Sequence, residues 1–137
     1  WSQQDQNNRI MSNFIKARLR SFGYAFQGWI YVLRNEPNAW IHTFVTILII
    51  PLAFWLHLPA RDWAALLLAI VMVWAAEFFN TAIESIVDLV SPEENPLAKA
   101  GKDVGAAAVL IAALTSILIG LLILGPPLWE KITLYMQ

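Results

Sequence analysis

The chain contains no cysteine. That absence excludes disulfides, thiolate metal sites and a cysteine nucleophile. Charge is scarce too. Only 14% of residues are Asp, Glu, Lys or Arg, where soluble domains carry about a quarter. The formal net charge is −1, so no basic excess speaks for a nucleic-acid partner, and none is expected. Nothing at the N-terminus resembles a signal peptide. The first ten residues are polar, and no apolar core follows a basic start.

What fills the chain is hydrocarbon. Of its 137 residues, 58% are hydrophobic, and the mean hydropathy is +0.56. One domain is expected at this length. The apolar residues cluster in three blocks, which describes an all-α integral membrane protein. Residues 1–13 form a polar tail rich in Gln and Asn, expected to be poorly ordered. Between residues 14 and 34 the pattern turns helical: Ile15, Leu19, Phe22, Phe26, Trp29, Ile30 and Leu33 recur at a spacing of three to four. Lys16, Arg20, Gln27 and Arg34 fall toward the other side. A basic amphipathic helix of this kind lies in a membrane interface.

Three spans follow. The first is expected over about 38–58, with Pro37 in its first turn, Pro51 kinking it, and Trp40, Trp55, His57 and Trp63 at its boundaries. The second covers about 62–90, with Asp62 as its N-cap. At roughly 42 Å it exceeds the hydrocarbon, so its second half must emerge into the headgroup zone. Residues 91–101 read as a loop. The third span runs over about 102–124 from the small-residue stretch Gly105-Ala106-Ala107-Ala108, which suits close helix approach. Gly125-Pro126-Pro127 is expected to stop it, leaving 125–137 as a tail. Three short spans are too few to enclose a site alone, so a homo-oligomer is expected.

Within the second span lies the stretch that organises the rest: Glu77, Asn80, Glu84 and Asp88. Their spacing is i, i+3, i+7, i+11, which places all four within an arc of about 80° on a helix. The bland alternative is a solvated face of a soluble amphipathic helix, but the flanking segments are too apolar to live in water. Ionisable groups at that depth face protein or a water-filled cavity and mark a functional site.

Lys and Arg counts set the orientation. Arg9, Lys16, Arg18, Arg20 and Arg34 share a side with Lys99 and Lys102, whereas the other side holds Arg61 and Lys131. The N-terminus and the acidic end of the second span are therefore expected to be cytoplasmic. Glu36, Glu77, Asn80, Glu84, Asp88, Lys102 and Asp103 then converge near one membrane edge. Clustered carboxylates suit Mg²⁺, which arrives with a nucleotide and shares its octahedron between one or two carboxylates and phosphate oxygens. A lysine can neutralise phosphate charge, and a carboxylate held away from water can serve as a general base. These parts suit phosphoryl transfer to a lipid hydroxyl. The chain has no GxxxxGK loop and no HRD or DFG set, so its nucleotide site is of another design.

At this point the residues reach a known pattern. Glu77-Phe-Phe-Asn80-Thr-Ala-Ile-Glu84-Ser-Ile-Val-Asp88, then Ala100-Gly101-Lys102-Asp103-Val104-Gly105-Ala106-Ala107-Ala108-Val109-Leu110, resemble the prokaryotic diacylglycerol kinase family, which includes the undecaprenol kinases. Phe22-Gly-Tyr24-Ala-Phe-Gln-Gly28 and Asn35-Glu36 match its earlier signatures. The similarity covers about residues 14–124. It implies a bacterial plasma-membrane homotrimer with three spans and a surface helix per subunit, using MgATP at sites shared between subunits.

The resemblance also implies roles. Glu77 would accept the lipid hydroxyl proton. Glu36 and Glu84 would hold the metal that carries ATP. Lys102 and Asp103 would contact the nucleotide, with Tyr24 and the loop residues Glu93, Glu94 and Asn95 lining it. Asn80 and Asp88 would support the site. The family's basic residue on the surface helix falls at Ala17, with Arg18 or Arg20 as substitutes. Asn38 and His42 stand as in the undecaprenol-kinase branch, where the diacylglycerol branch carries an acid at the position of His42. By that hint undecaprenol is favoured over diacylglycerol, whose phosphorylation would give phosphatidic acid. His42 itself reads as a headgroup-level hydrogen-bonder rather than a metal ligand.

Two other classes compete. A non-catalytic subunit passing ions or protons would want ionisable groups across the whole span, yet Trp63–Ala76 and Ala106–Leu124 have none. A lipid phosphatase lacks its cysteine or paired histidine nucleophiles.

Overall fold

The computed structural model describes residues 3–136. Four helices account for nearly all of them, and no strand occurs among the described residues: α1 Gln3–Asn35, α2 Pro37–Trp55, α3 Ala60–Val90 and α4 Pro96–Tyr135. The chain divides into two units, Trp1–Asn35 and Glu36–Gln137.

The first unit is α1. It starts at Gln3, eleven positions before the expected start at residue 14. The polar stretch before Phe14 contains no proline or glycine, and polarity alone does not break a helix. Ile10 and Met11 extend the apolar stripe through Phe14, Ile15 and Leu19, and all five side chains are exposed. Arg18 lies over the Phe14 ring, 4.9 Å from its centroid.

In the second unit, α2, α3 and α4 are each long and apolar enough to cross a membrane. Glu36 is the N-cap residue of α2 and Pro37 stands in its first turn, as the sequence predicts. The far end differs from expectation, because α2 stops at Trp55 rather than near Leu58. His57 adopts a left-handed φ of 56°. Its N–H donates to Phe54 O at 3.0 Å, and the Leu58 N–H reaches back to Ala53 O at 3.3 Å. This pair of bonds is a Schellman stop, sealed by burial of Ala53 and Leu58 in one apolar cluster with Leu56, Leu66 and Leu124.

The N-cap of α3 is Pro59, not Asp62. Asp62 sits inside the first turn, its N–H bonded to Pro59 O, where a negative charge still favours the helix start. At its other end α3 stops at Val90, because Ser91 precedes Pro92 and is steered away from helical geometry (φ −132°, ψ 75°).

The third span departs furthest from expectation. Residues 96–101 are helix rather than loop, since Asn95 Oδ1 accepts the N–H groups of Leu97 (2.8 Å) and Ala98 (3.4 Å) and Pro96 takes the first position. Nor do Pro126 and Pro127 end it, and the supposed tail is helical to Tyr135. Interior proline costs a helix about 3 kcal/mol, but packing holds the turns beyond. Leu124 and Leu128 join the apolar cluster, and Lys131 donates to Trp55 O while its ammonium lies 4.2 Å from a Trp55 ring centroid.

The main packing is α3 against α4. Small residues allow it. Ala69 and Ala112 are buried, Ser116 Oγ donates to Ala69 O at 3.0 Å, and Gly105 faces Asn80 so closely that a Cβ there would collide with the Asn80 side chain. This antiparallel arrangement brings the start of α2, the end of α3 and the start of α4 to one end of the unit.

Candidate active site at one end of the helical unit

Glu77 is the centre of that end. It is 1% exposed, and neither carboxylate oxygen has a hydrogen-bond partner among the described residues. A buried carboxylate without partners is costly. Thr81 Oγ1 donates to Glu77 O at 2.9 Å, and Thr81 is itself buried, so the turn carrying Glu77 is well fixed. The carboxylates of Glu36, from the start of α2, and Glu84, two turns along α3, are close enough to act on Glu77 by charge.

The other residues of the stripe lie along the same face of α3. Asn80 is buried, and its Nδ2 donates to Glu84 Oε1 at 3.2 Å, while its Oδ1 has no partner among the described residues. Lys102 Nζ donates to Asp88 Oδ1 at 2.9 Å and also lies within the field of Glu84 and Glu36. Glu36, Glu77, Asn80, Glu84, Asp88 and Lys102 therefore share one site. The Glu36 side chain makes no capping bond, so its carboxylate is not consumed by the helix it precedes.

Other predicted residues lie elsewhere or have other ties. Asp103 pairs with Lys99, one turn away on the exposed side of α4. Glu93 and Glu94 are exposed in the segment between α3 and α4. Asn95 uses its carbonyl oxygen to cap α4. Tyr24 is exposed on α1, in the first unit.

Among the described residues no three His, Asp or Glu side chains gather as a self-sufficient metal site. Glu36 and Glu84 are hard oxygen donors placed around a buried unbonded carboxylate. Such a pair suits Mg²⁺, which keeps most of its shell from water and phosphate oxygens.

His42, expected from the sequence as a headgroup-level hydrogen-bonder, instead stands beside Glu77. Its Nε2 is buried without a hydrogen-bond partner among the described residues and stands 4.0 Å from Glu77 Oε2. The Trp74 ring meets the imidazole edge-on at a centroid distance of 6.2 Å. The signal available was a lone imidazole in an otherwise apolar run, together with Glu36 six residues earlier on the same helix end. His42 and Trp74 also form one end of an apolar groove of about 450 Å³ between α2, α3 and α4.

Fold and site together define a helical membrane protein with a buried carboxylate, further acids and a lysine gathered at one end of its spans. The comparisons agree with that class. The chain matches prokaryotic diacylglycerol kinase over residues 23–124, and it belongs to that family, which makes it a membrane lipid kinase. It is 43% identical to a diacylglycerol kinase of Synechocystis over 80% of its own length, a match spanning 63% of that relative. It is 36% identical to the undecaprenol kinase of Bacillus subtilis, covering 85% of this chain and 94% of the relative. It is 30% identical to the diacylglycerol kinase of Escherichia coli K12, covering 73% of this chain and 82% of the relative.

Proposed function

We propose that the chain phosphorylates undecaprenol with MgATP at the cytoplasmic face of a bacterial plasma membrane, working as a homotrimer. One observation carries the chemistry: Glu77 is buried with both oxygens unbonded. A group so placed takes up a donor when one arrives, and the hydroxyl of a lipid alcohol is such a donor. Glu77 accepts that proton as the lipid oxygen forms its bond to the γ-phosphorus and the bond from γ-phosphorus to the ADP oxygen breaks.

Glu36 and Glu84 would hold Mg²⁺, which would supply neutralisation of phosphate charge. Lys102 adds a cation at the same place, tethered by Asp88. Asn80 orients Glu84 through their hydrogen bond. Nucleotide contacts by Asp103, Tyr24, Glu93, Glu94 and Asn95, and the interfacial placement of α1, rest on the resemblance and on the exposed apolar stripe of α1.

The preference for undecaprenol has two supports. One relative that this chain nearly spans is an undecaprenol kinase. Beyond His42 and Trp74 at its end, the groove beside Glu77 is lined by hydrocarbon, since the hydroxyls of Thr46 and Ser116 are bound to the carbonyls of His42 and Ala69. A polyprenol has one hydroxyl and then only hydrocarbon. A diacylglycerol brings two ester carbonyls next to its hydroxyl, and these would need donors. Transfer of labelled γ-phosphate in lipid nanodiscs, with undecaprenol and diacylglycerol side by side, tests the reading. Label confined to undecaprenol and lost in Glu77→Gln is expected. Label confined to diacylglycerol would move the chain to the other branch, and no label in either would sink the kinase reading.

A further inference from the structure

His42 has not been given a part in the reaction, and its surroundings ask for one. It stands on α2, whereas Glu77 stands on α3. Across the boundary between these helices, Nε2 faces Glu77 Oε2 at 4.0 Å. Both atoms are buried, and neither has another hydrogen-bond partner among the described residues. An unpaired donor and an unpaired acceptor, each costly alone, sit less than about 1 Å beyond hydrogen-bond distance of one another.

The setting restricts the imidazole. Trp74, buried on the same face of α3 as Glu77, meets the imidazole in a T-shaped contact at 6.2 Å between centroids. Ala39, one turn before His42, is 0% exposed and leaves α2 little room to shift there. Thr46 Oγ1 donates to His42 O at 2.7 Å and stiffens the following turn. On α3, Thr81 Oγ1 donates to the Glu77 backbone carbonyl and stiffens the turn that carries it. Both turns are held through their backbones, and the unbonded side-chain atoms they carry stand 4.0 Å apart.

The charge balance favours a donor at this spot. Glu77 feels the like charges of Glu36 and Glu84. Lys102, the nearby cation, is already held by Asp88. What remains to steady the Glu77 carboxylate from the α2 side is His42.

Resting on the lipid-kinase reading, we propose that His42 is a positioning residue. As the Nε2–H tautomer it donates to Glu77 Oε2, which leaves Oε1 aimed at the hydroxyl of the lipid acceptor. It touches neither nucleotide nor phosphate, and it acts on the rate through the geometry of the base. A misplacement of about 1 Å at a reacting group costs on the order of 100-fold in rate.

The test compares His42→Leu, which removes the donor, with His42→Gln, whose amide N–H reaches close to the position of Nε2. Both are assayed in lipid nanodiscs for kcat and KM with MgATP and undecaprenol. Expected for Leu is a kcat loss of about 100-fold with both KM values within about twofold of the parent. Gln is expected to recover at least about tenfold of that loss. Leu in a Glu77→Gln background should lower the residual rate no further. Equal losses in Leu and Gln, a rise in KM alone, or no loss in Leu would each overturn the proposal.

A second arm needs no turnover. The chain has two histidines, His42 and His57, so ¹⁵N-histidine spectra are assigned by His57→Asn. His42 is expected as the Nε2–H tautomer, with its Nε2 signal moving in Glu77→Gln. An Nδ1–H tautomer, or a signal indifferent to Glu77→Gln, overturns the contact. A parent protein that phosphorylates no lipid would sink the kinase reading, while the spectra would still decide whether His42 holds Glu77.

Discussion

Lys102 Nζ and Asp88 Oδ1 are 2.9 Å apart, joining the first turns of α4 to the last turns of α3 across the segment 91–95. Both side chains are substantially exposed, so the pair adds little to stability. Its use is directional, since Asp88 keeps the ammonium turned toward Glu84 and Glu36. Lys102→Met is therefore expected to raise KM for MgATP by about tenfold or more, as loss of one charge-assisted phosphate contact does. The thermal midpoint should stay within about 2 °C. Asp88→Asn should show a smaller rise in the same constant. Initial rates over a MgATP series check both, and an unchanged KM in Lys102→Met would remove this lysine from the nucleotide site.

Glu77 is held at a cost, and that cost is measurable. Glu77→Gln keeps the shape and removes the charge. Its transfer rate is expected to fall by at least about 1,000-fold, in keeping with loss of a general base. Its stability should rise by about 1–2 kcal/mol, because a buried carboxylate facing the like charges of Glu36 and Glu84 is exchanged for a neutral amide whose oxygen can still accept from His42. Phosphate transfer and thermal unfolding of the same nanodisc sample read the two effects together. A variant that is inactive and less stable would mean that Glu77 has partners in the assembly that stabilise it.

At the opposite end of the helices, His57 holds a left-handed φ of 56° in the Schellman stop after α2. A side chain in that region costs roughly 1–2 kcal/mol, and glycine avoids the cost but adds freedom to the unfolded chain. His57→Gly is expected to gain about 0.5–1 kcal/mol in thermal unfolding with transfer activity unchanged. A loss would show that the imidazole itself is needed there.

Periodicity made the acidic stripe legible. A 3.6-residue repeat places Glu77, Asn80, Glu84 and Asp88 on one face whatever that face packs against, and run length placed three spans. Pro37 and the break at Ser91-Pro92 were legible for similarly local reasons. What escaped depends on contacts between helices. His42 joins Glu77 only because one particular face of α2 meets α3. Asp103 and Lys102 are neighbours in sequence but about 100° apart on α4, so Lys102 turns to Asp88 and Asp103 to Lys99. The run of α4 through Pro126 and Pro127 rests on Leu128 and Lys131 finding partners on α2, which no local signal announces. The early start of α1 has the opposite lesson, since polar composition suggests disorder where nothing in the sequence forbids a helix.

Gly105 is where the packing of the spans and the chemistry of the site meet. Among the small residues that open the third span, it is the one where an added Cβ would run into the Asn80 side chain. Asn80 in turn holds Glu84. Gly105→Ala must either push α4 away from α3 or turn the Asn80 amide off Glu84. The first route costs about 1–3 kcal/mol as overpacking does, and the second disturbs a proposed metal carboxylate. Both lower the transfer rate, and the expected signature is a stability loss together with a raised Mg²⁺ requirement. Gly101→Ala is the matched control one turn earlier. Nothing lies within 4 Å of a Cβ built there, so removal of a helical glycine should leave stability equal or higher by up to about 1 kcal/mol. Thermal unfolding of both variants and Mg²⁺ titration of their activity decide the matter. If the two alanines behave alike, the contact between Gly105 and Asn80 does not organise this site.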